Sequence, residues 1–483
     1  MKILLVKPPL NPNMMTTTRG EPLELEYLAA AIQDHNVAIL DMRIDRRLSK
    51  KLDEFKPEVV GITAYTCDAN TAKQVLCEVK KHNRNIKTVI GGHHATFQPG
   101  DFALPYVDAI FLRMADYSFK EYIDALEDEE DVHHIKNIVL VKTGGLYFTE
   151  QEFQRIDLDS LPFPSRYLTA PYRNRYRDLM KNKTAFILTS RGCPYRCTFC
   201  ACWKMMGGKY VYRKPESVVD ELAQLPEETE LICFADDNTL HSIQRAWRLS
   251  QLIKERKINK RFSLYARADT IVKHPDLIES LRDAGLEYIT VGLESFRDNE
   301  LEALNKKTSV RTNEEAIRIL KRLEVSISAH LIVHPHYTHK DFEELFQYVC
   351  RMCLYRVAYT ILTPLPGTDL YAEKLDSFAI RDTDYFDFVH SILPTKLDRR
   401  EFYFLYAELY RKTYSLKRYF HSAAGSFRSL WGRPGNMARY KSDRISLFRI
   451  FLINIFGLPW YLKVRNFYKS EPIRACSGSP EKS

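Results

Sequence analysis

The sequence predicts an α/β protein with two successive α/β domains followed by a helical C-terminal extension. The chain has 483 residues, which is too long for one ordinary hydrophobic core. Short apolar runs alternate with helical patterns over the first 125 residues, and the alternation resumes near residue 185. Hydrophobic content of 45% and charged content of 28% are near globular averages, which excludes wholesale disorder, collagen and coiled coil.

The first alternation predicts a parallel, doubly wound sheet within residues 1–150. Continuous Val, Ile and Leu runs separated by helices are typical of strands that are buried on both faces. The expected elements are strands at Lys2–Val6, Ala38–Asp41, Val59–Thr63, Thr88–Gly91 and Ala109–Leu112, helices at Leu23–Gln33 and Ala69–His82, an acidic loop at Asp124–Asp131, and a hairpin of Val139–Lys142 with Leu146–Phe148.

Sheets of this kind bind ligands at the carboxyl ends of their strands. In this chain those ends carry Pro8-Pro9, the segment Thr63–Thr66 and the segment Gly91–Thr96. The paired glycines Gly91 and Gly92 would let the backbone approach a large planar or phosphorylated ligand. Spacing alone favours the alternative that they are ordinary turn glycines.

Residues 151–183 are expected to form a linker, because the two prolines of Leu161–Pro164 interrupt both helix and central strand. The second alternation follows over residues 184–385, and six β/α units of this kind suit a partial or full barrel with its chemistry at the strand carboxyl ends. The expected strands are Phe186–Thr189, Leu231–Ala235, Phe262–Ala266, Tyr288–Val291, Ser326–Val333 and Ala358–Leu362, and the helices between them are Pro215–Leu225, Ile243–Glu255, Pro275–Ala284, Asn313–Leu323 and Phe342–Cys353.

Three cysteines, Cys193, Cys197 and Cys200, lie within eight residues directly after the first strand of the second domain. At the spacing CxxxCxxC, each thiolate can bind one iron of a cubane cluster and leave the fourth iron open for catalysis. Structural zinc is the alternative, but zinc normally needs a fourth ligand, and no second CxxC or His pair follows at finger-like distance. Cys202 is a further candidate for the fourth ligand, although a CxC pair is cramped.

This segment resembles the signature of the radical S-adenosylmethionine (SAM) superfamily, CxxxCxφC, with Phe199 at the aromatic position. Later strand ends also match, and these are Phe234–Asn238, Ala266–Asp269, Val291–Ser295 and Thr363–Thr368. The resemblance implies that the three cysteines hold a [4Fe–4S] cluster and that SAM chelates the open iron. It also implies a SAM site that includes Phe199, with Asp236 and Arg267 as candidates for the methionine end and Glu294 and Ser295 for the ribose.

A doubly wound domain before such a barrel resembles the cobalamin-binding radical SAM enzymes, and within them the hopanoid C-3 methylase group. The matching segments are Glu21–Glu26, Gly91–His93, Thr189–Cys193, Leu286–Tyr288 and Leu393–Tyr403. The resemblance implies a Rossmann-like domain that binds cobalamin at the sheet edge, through Pro9, Thr63, Tyr65, Gly91, Gly92, His93 and Thr96.

The chain departs from the pattern of these enzymes at three places. Pro8–Asn13 has no histidine where a DxHxxG motif would supply one, so cobalamin would lack that axial ligand. Arg113–Asp116 stands in place of a Gly-Glu-Gly-Glu motif. Glu24 replaces a glycine, and a charged side chain there could obstruct a contact with the corrin ring.

The implied reaction starts when one electron enters the cluster and cleaves SAM, giving a radical that removes hydrogen from an unactivated carbon. Methylcobalamin would then donate a methyl group, and a second SAM would remethylate the cobalamin. The implied enzyme is therefore a C-methyltransferase acting on a hopanoid-like isoprenoid lipid, with a reductant such as flavodoxin or ferredoxin. No catalytic residue is assigned beyond the cofactor ligands. Two alternatives are a non-methylating cyclisation or rearrangement of a lipid or tetrapyrrole, and a non-catalytic cobalamin or Fe–S sensor or scaffold.

Charge is concentrated in the C-terminal region, 386–483. The chain has a net charge of +9, but residues 401–483 alone contain 15 Lys and Arg against 5 Asp and Glu. Helix is expected at Phe404–Tyr419, and the apolar run Ile450–Leu462 is too short for a membrane span of about 20 residues. Apolar residues between basic flanks favour peripheral binding to an anionic membrane surface, with packing on the barrel as the alternative. A body that is otherwise nearly neutral argues against a nucleic-acid partner.

The N-terminus has no pattern of a secreted protein. Met1-Lys2 leads directly into the apolar run Ile3–Val6, which is too short for the hydrophobic region of a signal peptide. Without export, the ten cysteines are better interpreted as reduced thiols or metal ligands than as disulfides. A cytoplasmic location is expected, and the basic C-terminal region favours a peripheral position at the inner face of the membrane.

Overall fold

The computed structural model describes residues 1–11, 19–153, 156–178, 182–415 and 418. The chain divides into two compact units. The first comprises residues 1–332 and 360–394, and the second comprises residues 333–359 together with the chain from residue 395 onward. Both predicted α/β domains, apart from the end of the barrel sequence, lie in the first unit.

The N-terminal domain is a seven-stranded sheet with the order β2-β1-β3-β4-β5-β6-β7, parallel from β2 to β5 and antiparallel beyond. Its elements are β1 (Lys2–Lys7), α1 (Leu23–Ala31), β2 (Asn36–Asp41), α2 (Leu48–Phe55), β3 (Val59–Thr63), α3 (Ala69–His82), β4 (Lys87–Gly91), α4 (His93–Phe97), β5 (Ala109–Phe111), α5 (Asp116–Glu127), β6 (Ile138–Lys142) and β7 (Gly145–Phe148). The predicted doubly wound sheet is confirmed, and its order reverses between β1 and β3, where such sheets bind ligands.

The unbroken apolar character of β1 follows from burial on both faces. Leu4 and Val6 belong to one buried cluster, whereas Ile3 and Leu5 belong to a second cluster on the opposite face. Because helices cover both sides, alternate residues of the strand all remain apolar.

The sequence predicts an acidic loop at Asp124–Asp131. This prediction is wrong for Asp124–Glu127, which form the last turn of α5. Phe119, Tyr122 and Ile123 are buried at helical spacing and anchor this helix to the sheet, while its acidic side remains open to solvent. Helix α2 was not expected either, since only Leu48 and Leu52 are buried along it.

The second domain contains a six-stranded sheet with the order β15-β14-β13-β12-β11-β8, and the pairs from β8 to β14 are parallel. This agrees with the predicted (β/α)6 partial barrel. Its elements are β8 (Thr184–Ile187), β9 (Ser190–Arg191), α6 (Cys202–Met205), β10 (Val211–Tyr212), α7 (Pro215–Gln224), β11 (Leu231–Phe234), α8 (Ile243–Glu255), β12 (Arg261–Ala266), α9 (Ala268–Lys273), α10 (Pro275–Asp283), β13 (Leu286–Glu294), α11 (Asp298–Ala303), α12 (Val310–Arg322), β14 (Ser326–Val333), α13 (His339–Arg351), β15 (Val357–Ile361) and α14 (Asp369–Lys374).

The two faces of this sheet differ in chemistry. Phe234 and Phe262 stack at a centroid distance of 5.2 Å on the apolar, helix-covered face. On the other face, Tyr265 of β12 is in register with Thr290 of β13, which is in register with Ser328 of β14. Paired residues of parallel strands point to the same side, so the inner face of the partial barrel is polar.

In the second unit, α13 packs against α15 (Arg399–Thr413) through Phe342 and Phe402, whose rings are 5.4 Å apart. The helix expected at Phe404–Tyr419 begins five residues earlier, because the Asp398 side chain accepts a hydrogen bond from Arg400 N at 2.9 Å and caps it. The apolar run Ile450–Leu462 and most of the basic tail lie outside the described residues. Among the described helices, none combines the length and apolar character needed to cross a bilayer.

Candidate functional site

The cysteine loop is fixed to the barrel by backbone interactions. Gly192 has a φ of +85°, and an added Cβ would lie 2.2 Å from the Lys209 carbonyl oxygen, so only glycine fits there. Farther along, Thr198 N donates to the Leu304 carbonyl at 3.1 Å, and Asn305 Nδ2 donates to the Arg196 carbonyl at 2.7 Å. The loop is therefore held at both ends.

The three predicted cluster ligands lie in this loop as free thiols. Burial raises the pKa of Cys193 and of Cys197, and the nearby thiolates oppose each other's ionisation. Iron would reverse this effect, because a metal-bound thiol loses its proton. Cys202 hydrogen-bonds Cys200 and thereby lowers the pKa of Cys200. Three thiols in one fixed loop fit the donor set of a [4Fe–4S] cluster.

The described residues contain no group of three His, Cys, Asp or Glu side chains that could hold a single metal ion.

Two adjacent aspartates follow β11. The predicted SAM residue, Asp236, holds the backbone at the start of the cysteine loop. Asp236 is buried, and its Oδ1 accepts hydrogen bonds from Thr189 N at 2.7 Å and Ser190 N at 2.9 Å. These contacts connect β11 to the start of the cysteine loop. The contact of Asp236 with SAM stays a prediction.

Sequence reasoning missed its neighbour, Asp237. The Asp237 side chain is exposed, and its Oδ2 accepts a hydrogen bond from Gly192 N at 2.8 Å. Its charge also helps to raise the pKa of Cys193, which shows that it faces the cysteine loop. Strand alternation could have found it, since Cys233, Ala235 and Asp237 are spaced by two residues along β11 and beyond its end.

Arg267 is held against the cysteine loop. Its guanidinium lies 3.6 Å from the centroid of the Tyr195 ring, within cation–π distance. Nε donates to Asp269 Oδ1 at 2.9 Å, and Nη2 donates to the Lys306 carbonyl at 2.7 Å. The structure therefore brings this predicted SAM residue to the loop that carries the cysteines.

Glu294 forms a buried ion pair with Lys306, at 2.7 Å between Oε1 and Nζ. Burial opposes the charge of Lys306, but Glu294 and Cys197 raise its pKa, so the ammonium is retained beside the cluster loop. Lys306 Nζ is also 5.9 Å from the centroid of the Phe199 ring. Sequence reasoning did not identify Lys306, because it lies 12 residues beyond its partner in a loop.

Glu294 adopts a φ of +61°, which is rare for a residue with a side chain. An added Cβ on Gly292 would lie 2.2 Å from Glu294 Oε1, so the glycine makes room for this arrangement. Ser295, the other predicted ribose contact, is buried, donates to Glu300 and accepts from Arg297 N at 3.0 Å. Its hydroxyl is therefore engaged in the turn after β13.

At the edge of the first sheet, Gly92 provides a close backbone approach. Its φ is +99°, and an added Cβ would lie 2.8 Å from the Ala64 carbonyl oxygen and from Thr63 Oγ1. The ends of β3 and β4 thus meet in contact that any side chain would break. Gly91 lies beside them, where Ala64 N donates to its carbonyl at 3.0 Å. The glycine is therefore required for the close packing of these strand ends, and its contact with cobalamin stays a prediction.

Lys7, at the end of β1, forms a charged set with Glu24 and Tyr65. Its Nζ is 2.7 Å from Glu24 Oε1 and 5.0 Å from the centroid of the Tyr65 ring. The charge of Glu24 is therefore paired with Lys7, whereas the sequence had suggested that it could obstruct the corrin. Lys7 itself is buried at the end of β1, beside the β1–β3 switch point, and sequence reasoning did not identify it.

The remaining predicted cobalamin residues surround the same edge. Burial and the neighbouring His94 lower the pKa of His93 to about 4, so its imidazole is neutral at physiological pH. Thr96 Oγ1 donates to the Gly92 carbonyl at 2.9 Å, and the Pro9 carbonyl accepts from Thr71 Oγ1 at 3.1 Å. His93 presents a ring at this edge, whereas Thr96 and Pro9 contribute to its hydrogen bonding.

A buried ion pair joins the two domains. Arg191, two residues before Cys193, binds the carboxylate of Asp116 through both terminal nitrogens, with Nη2 at 3.0 Å from Oδ1. The side chains are 12% and 8% exposed, respectively. Asp116 begins α5 in the segment that departs from the Gly-Glu-Gly-Glu pattern. The cysteine loop is thus coupled directly to the first domain.

Two exposed tyrosines lie near these regions. Tyr65, after β3, is 57% exposed, and Lys7, burial, Glu24 and Cys202 all affect its pKa, which is raised on balance. Tyr265 of β12 is 46% exposed, and burial together with Cys233 and Tyr65 raises its pKa. Tyr65 is therefore within electrostatic reach of Cys202 and of Tyr265.

Comparison with known protein families agrees with this two-part site. Residues 16–123 match the B12 binding domain, and residues 187–349 match the Radical SAM superfamily. The chain therefore contains a B12 binding domain followed by a radical SAM domain. Its cofactors are a [4Fe–4S] cluster, SAM and cobalamin.

Three known proteins illustrate the similarity. The chain is 25% identical to the hopanoid C-3 methylase of Methylococcus capsulatus over 415 residues, covering 83% of this chain and 78% of the relative. It is 27% identical to the anaerobic magnesium-protoporphyrin IX monomethyl ester cyclase of Cereibacter sphaeroides, covering 83% and 68%. The structure of the cobalamin-dependent SAM radical enzyme OxsB superposes with a TM-score of 0.71 at 16% identity, covering 97% of this chain and 75% of that one.

Proposed function

We propose that this protein is a cobalamin-dependent radical SAM C-methyltransferase that methylates an unactivated carbon of a hopanoid-like isoprenoid lipid. One observation carries the proposal: the ion pair of Arg191 with Asp116 joins the segment that leads into the cysteine loop directly to the first domain. Methyl transfer requires that both cofactors reach the same substrate atom, so an arrangement that brings their regions together favours this chemistry.

When bound, the cluster and SAM supply hydrogen abstraction from carbon, and cobalamin supplies the methyl group. The chain's own residues bind and orient these groups. Cys193, Cys197 and Cys200 would hold the cluster, and the Lys306–Glu294 pair supports a SAM site beside it. Gly92 keeps the ends of β3 and β4 packed together, and these strand ends would form the edge that receives the corrin. Reduction of the cluster requires an electron donor such as flavodoxin or ferredoxin.

The substrate assignment rests on the similarity to the hopanoid methylase, which extends over 83% of this chain. The alternative is a cyclisation or rearrangement of a lipid or tetrapyrrole, and the similarity to a magnesium-protoporphyrin cyclase at 27% identity favours it specifically. A cobalamin or Fe–S sensor is the remaining possibility from another class.

Anaerobic reconstitution with iron, sulfide and hydroxocobalamin distinguishes the methyltransferase, the cyclase and the sensor. With a reductant, SAM and a hopanoid, we expect 5′-deoxyadenosine and a product that is one methyl group heavier. Magnesium-protoporphyrin IX monomethyl ester serves as the competing substrate. A porphyrin product without hopanoid methylation would favour the cyclase, and no 5′-deoxyadenosine with either substrate would favour the sensor.

We also propose that the basic C-terminal region binds an anionic membrane surface and so brings the enzyme to its lipid substrate, as a peripheral protein at the inner face of the membrane. The excess of ten positive charges in residues 401–483 supports this. The full chain should cosediment with vesicles containing phosphatidylglycerol but not with purely zwitterionic vesicles. Replacing Lys463, Arg465 and Lys469 by Gln should weaken cosedimentation, and unchanged binding would contradict the proposal.

A further inference from the structure

The segment that carries the cysteines is strongly basic. Residues 191–214 contain six Lys and Arg and no Asp or Glu. Two of the six are held in largely buried ion pairs, since Arg191 pairs with Asp116 and Arg213 pairs with Glu221. The other four keep all or part of their side chains at the surface, and these are Arg196, Lys204, Lys209 and Lys214. The proposed function uses none of these four charges.

Trp203 connects two of these cations to a cluster ligand. The indole Nε1 donates a hydrogen bond to the Cys197 carbonyl at 3.3 Å. The Arg196 guanidinium lies 5.8 Å from the centroid of the Trp203 ring, and Lys204 Nζ lies 5.1 Å from it, so both are within cation–π distance. A half-buried indole with two positive charges beside it therefore lies directly against the backbone of Cys197. Arg196, Trp203 and Lys204 together are called the Trp203 patch below.

Acidic side chains neutralise only part of this patch. Lys204 forms an ion pair with Asp369 at the start of α14, whose side chain is 50% exposed. The Arg196 side chain is exposed and, among the residues that the structure describes, pairs with no carboxylate. The patch thus keeps a positive charge that is open to solvent.

The backbone that carries the patch is fixed. The Arg196 carbonyl accepts a hydrogen bond from Asn305 Nδ2 at 2.7 Å, and the Trp203 carbonyl accepts one from Gly208 N at 2.6 Å. Lys204 N donates to the Ala201 carbonyl at 3.0 Å within the turn that begins α6. A preformed surface of this kind loses little conformational entropy when a partner docks on it.

We propose that the Trp203 patch is the docking site of an acidic one-electron carrier protein that reduces the cluster. The inference rests on the part of the proposed function that places a [4Fe–4S] cluster on Cys193, Cys197 and Cys200. Complementary charge speeds the encounter of two proteins, and Trp and Arg are enriched among the residues that contribute most to interface binding. Interfaces between electron-transfer partners are small, so a patch of this size is sufficient.

The position of the indole suits this role because electron transfer slows steeply with distance. A carrier held on Trp203 lies next to the backbone of Cys197, and so next to the site of the cluster. One electron passes from the carrier to the oxidised cluster, whose net charge falls by one. With flavodoxin as the carrier, the anionic flavin hydroquinone becomes the neutral semiquinone, and no proton moves.

The test uses the reconstituted holoenzyme and the double variant Arg196→Glu with Lys204→Glu, with flavodoxin and a ferredoxin as probes. Biolayer interferometry measures carrier binding at low salt, and anaerobic stopped-flow absorbance measures reduction of the cluster. We expect the variant to bind the preferred carrier about tenfold or more weakly and to be reduced by it correspondingly more slowly. Added salt should weaken binding in the wild type much more than in the variant.

Dithionite separates docking from the properties of the cluster, because a small reductant needs no protein interface. It should reduce the wild type and the variant at the same rate, and both should contain the same amount of iron. Arg47→Glu with Lys50→Glu is the matched control, since it makes the same change in net charge at side chains of the first domain that are 68% and 58% exposed. This control should bind the carrier as the wild type does.

Equal carrier affinity in the wild type and the Arg196→Glu, Lys204→Glu variant would overturn the docking site and leave the proposed function intact. An equal loss of affinity in the control would also overturn it, because net charge alone would then explain the effect. A wild type that binds neither carrier would overturn it as well. A wild type that holds no iron, or a cluster that dithionite cannot reduce, would overturn the proposed function together with the docking site.

Discussion

The cysteine loop and the edge of the first sheet are built in opposite ways. In the loop, three cluster ligands lie within eight residues, and the turn that carries them needs only local glycine and backbone contacts. At the sheet edge, Lys7, Tyr65 and Gly92 come from three strand ends that are far apart in sequence. The residues of the cysteine loop form a sequence motif. Those of the sheet edge become neighbours only because their strands lie side by side.

This difference teaches where substitutions should act. A metal cluster has few ligands, each with a fixed chemical identity, so the loss of one thiol removes the site. A large organic cofactor makes many weaker contacts, and the backbone shape around it matters more than any single side chain. The predictions below test this contrast, from the largest effect to the smallest.

Cys197→Ala should abolish the cluster, because its thiol is one of three ligands in the loop. We expect nearly complete loss of bound iron and of cluster absorbance after reconstitution, with cobalamin binding retained. Cys202→Ala is the matched control, and it should keep the iron. A Cys197→Ala protein with wild-type iron content would refute the ligand assignment, and loss of iron in Cys202→Ala would reinstate Cys202 as a ligand.

Arg191→Ala should destabilise the protein by about 3–5 kcal/mol, because it leaves the buried Asp116 carboxylate without its partner. Urea unfolding measures the change, and Asp116→Ala with the double variant completes a mutant cycle. The exposed pair Arg248–Glu216 serves as the control, and breaking it should change the stability much less, because solvent screens both charges. Equal costs for the two pairs would show that the loop and the first domain are not coupled through Arg191.

Gly92→Ala should weaken cobalamin binding about tenfold or more and destabilise the fold by about 1–3 kcal/mol, because a side chain at this φ collides with Ala64 and Thr63. Absorbance titration with hydroxocobalamin and thermal unfolding measure the two effects. Gly144→Ala is the control, since an added Cβ there meets nothing within 4 Å. Unchanged cobalamin affinity in Gly92→Ala would contradict a role for this strand end in cobalamin binding.

The buried side chain of Glu26 should make the free energy of unfolding fall as the pH rises. Burial and Glu21 raise its pKa from an ordinary value of 4.5 to about 8, despite Arg166 and a hydrogen bond from Thr169. The folded state therefore favours the protonated acid, and its advantage is full below about pH 4.5 and is lost as pH rises through about 8. Glu26→Gln cannot ionise, so its stability should vary less over this window, by of order 1–3 kcal/mol.

Urea unfolding at several pH values between about 5 and 8 measures this effect, and Glu54→Gln on exposed α2 is the control. Identical pH profiles for the wild type and Glu26→Gln would contradict the buried, protonated state of Glu26.

Much of the fold could be predicted because apolar strands buried on both faces are unmistakable in sequence. The β1 run is an example, since both of its faces enter a core. Helix α5 was not predicted, because its many acidic residues are typical of a loop and only a few apolar residues mark its buried side. Lys306 was missed for a different reason, since it belongs to no motif and its contact with Glu294 depends on the fold.

By itself, the sequence determined the order of the two domains and predicted the cluster ligands, because strand periodicity and a thiolate motif are local properties. Only the tertiary structure decided that Glu24 is paired with Lys7, and that Asp237 rather than Asp236 is the exposed aspartate beside the cysteine loop. These depend on which strand ends become neighbours and on which side chains are left buried. Such facts arise from packing between residues that are well separated in the chain, and no spacing along the chain records them.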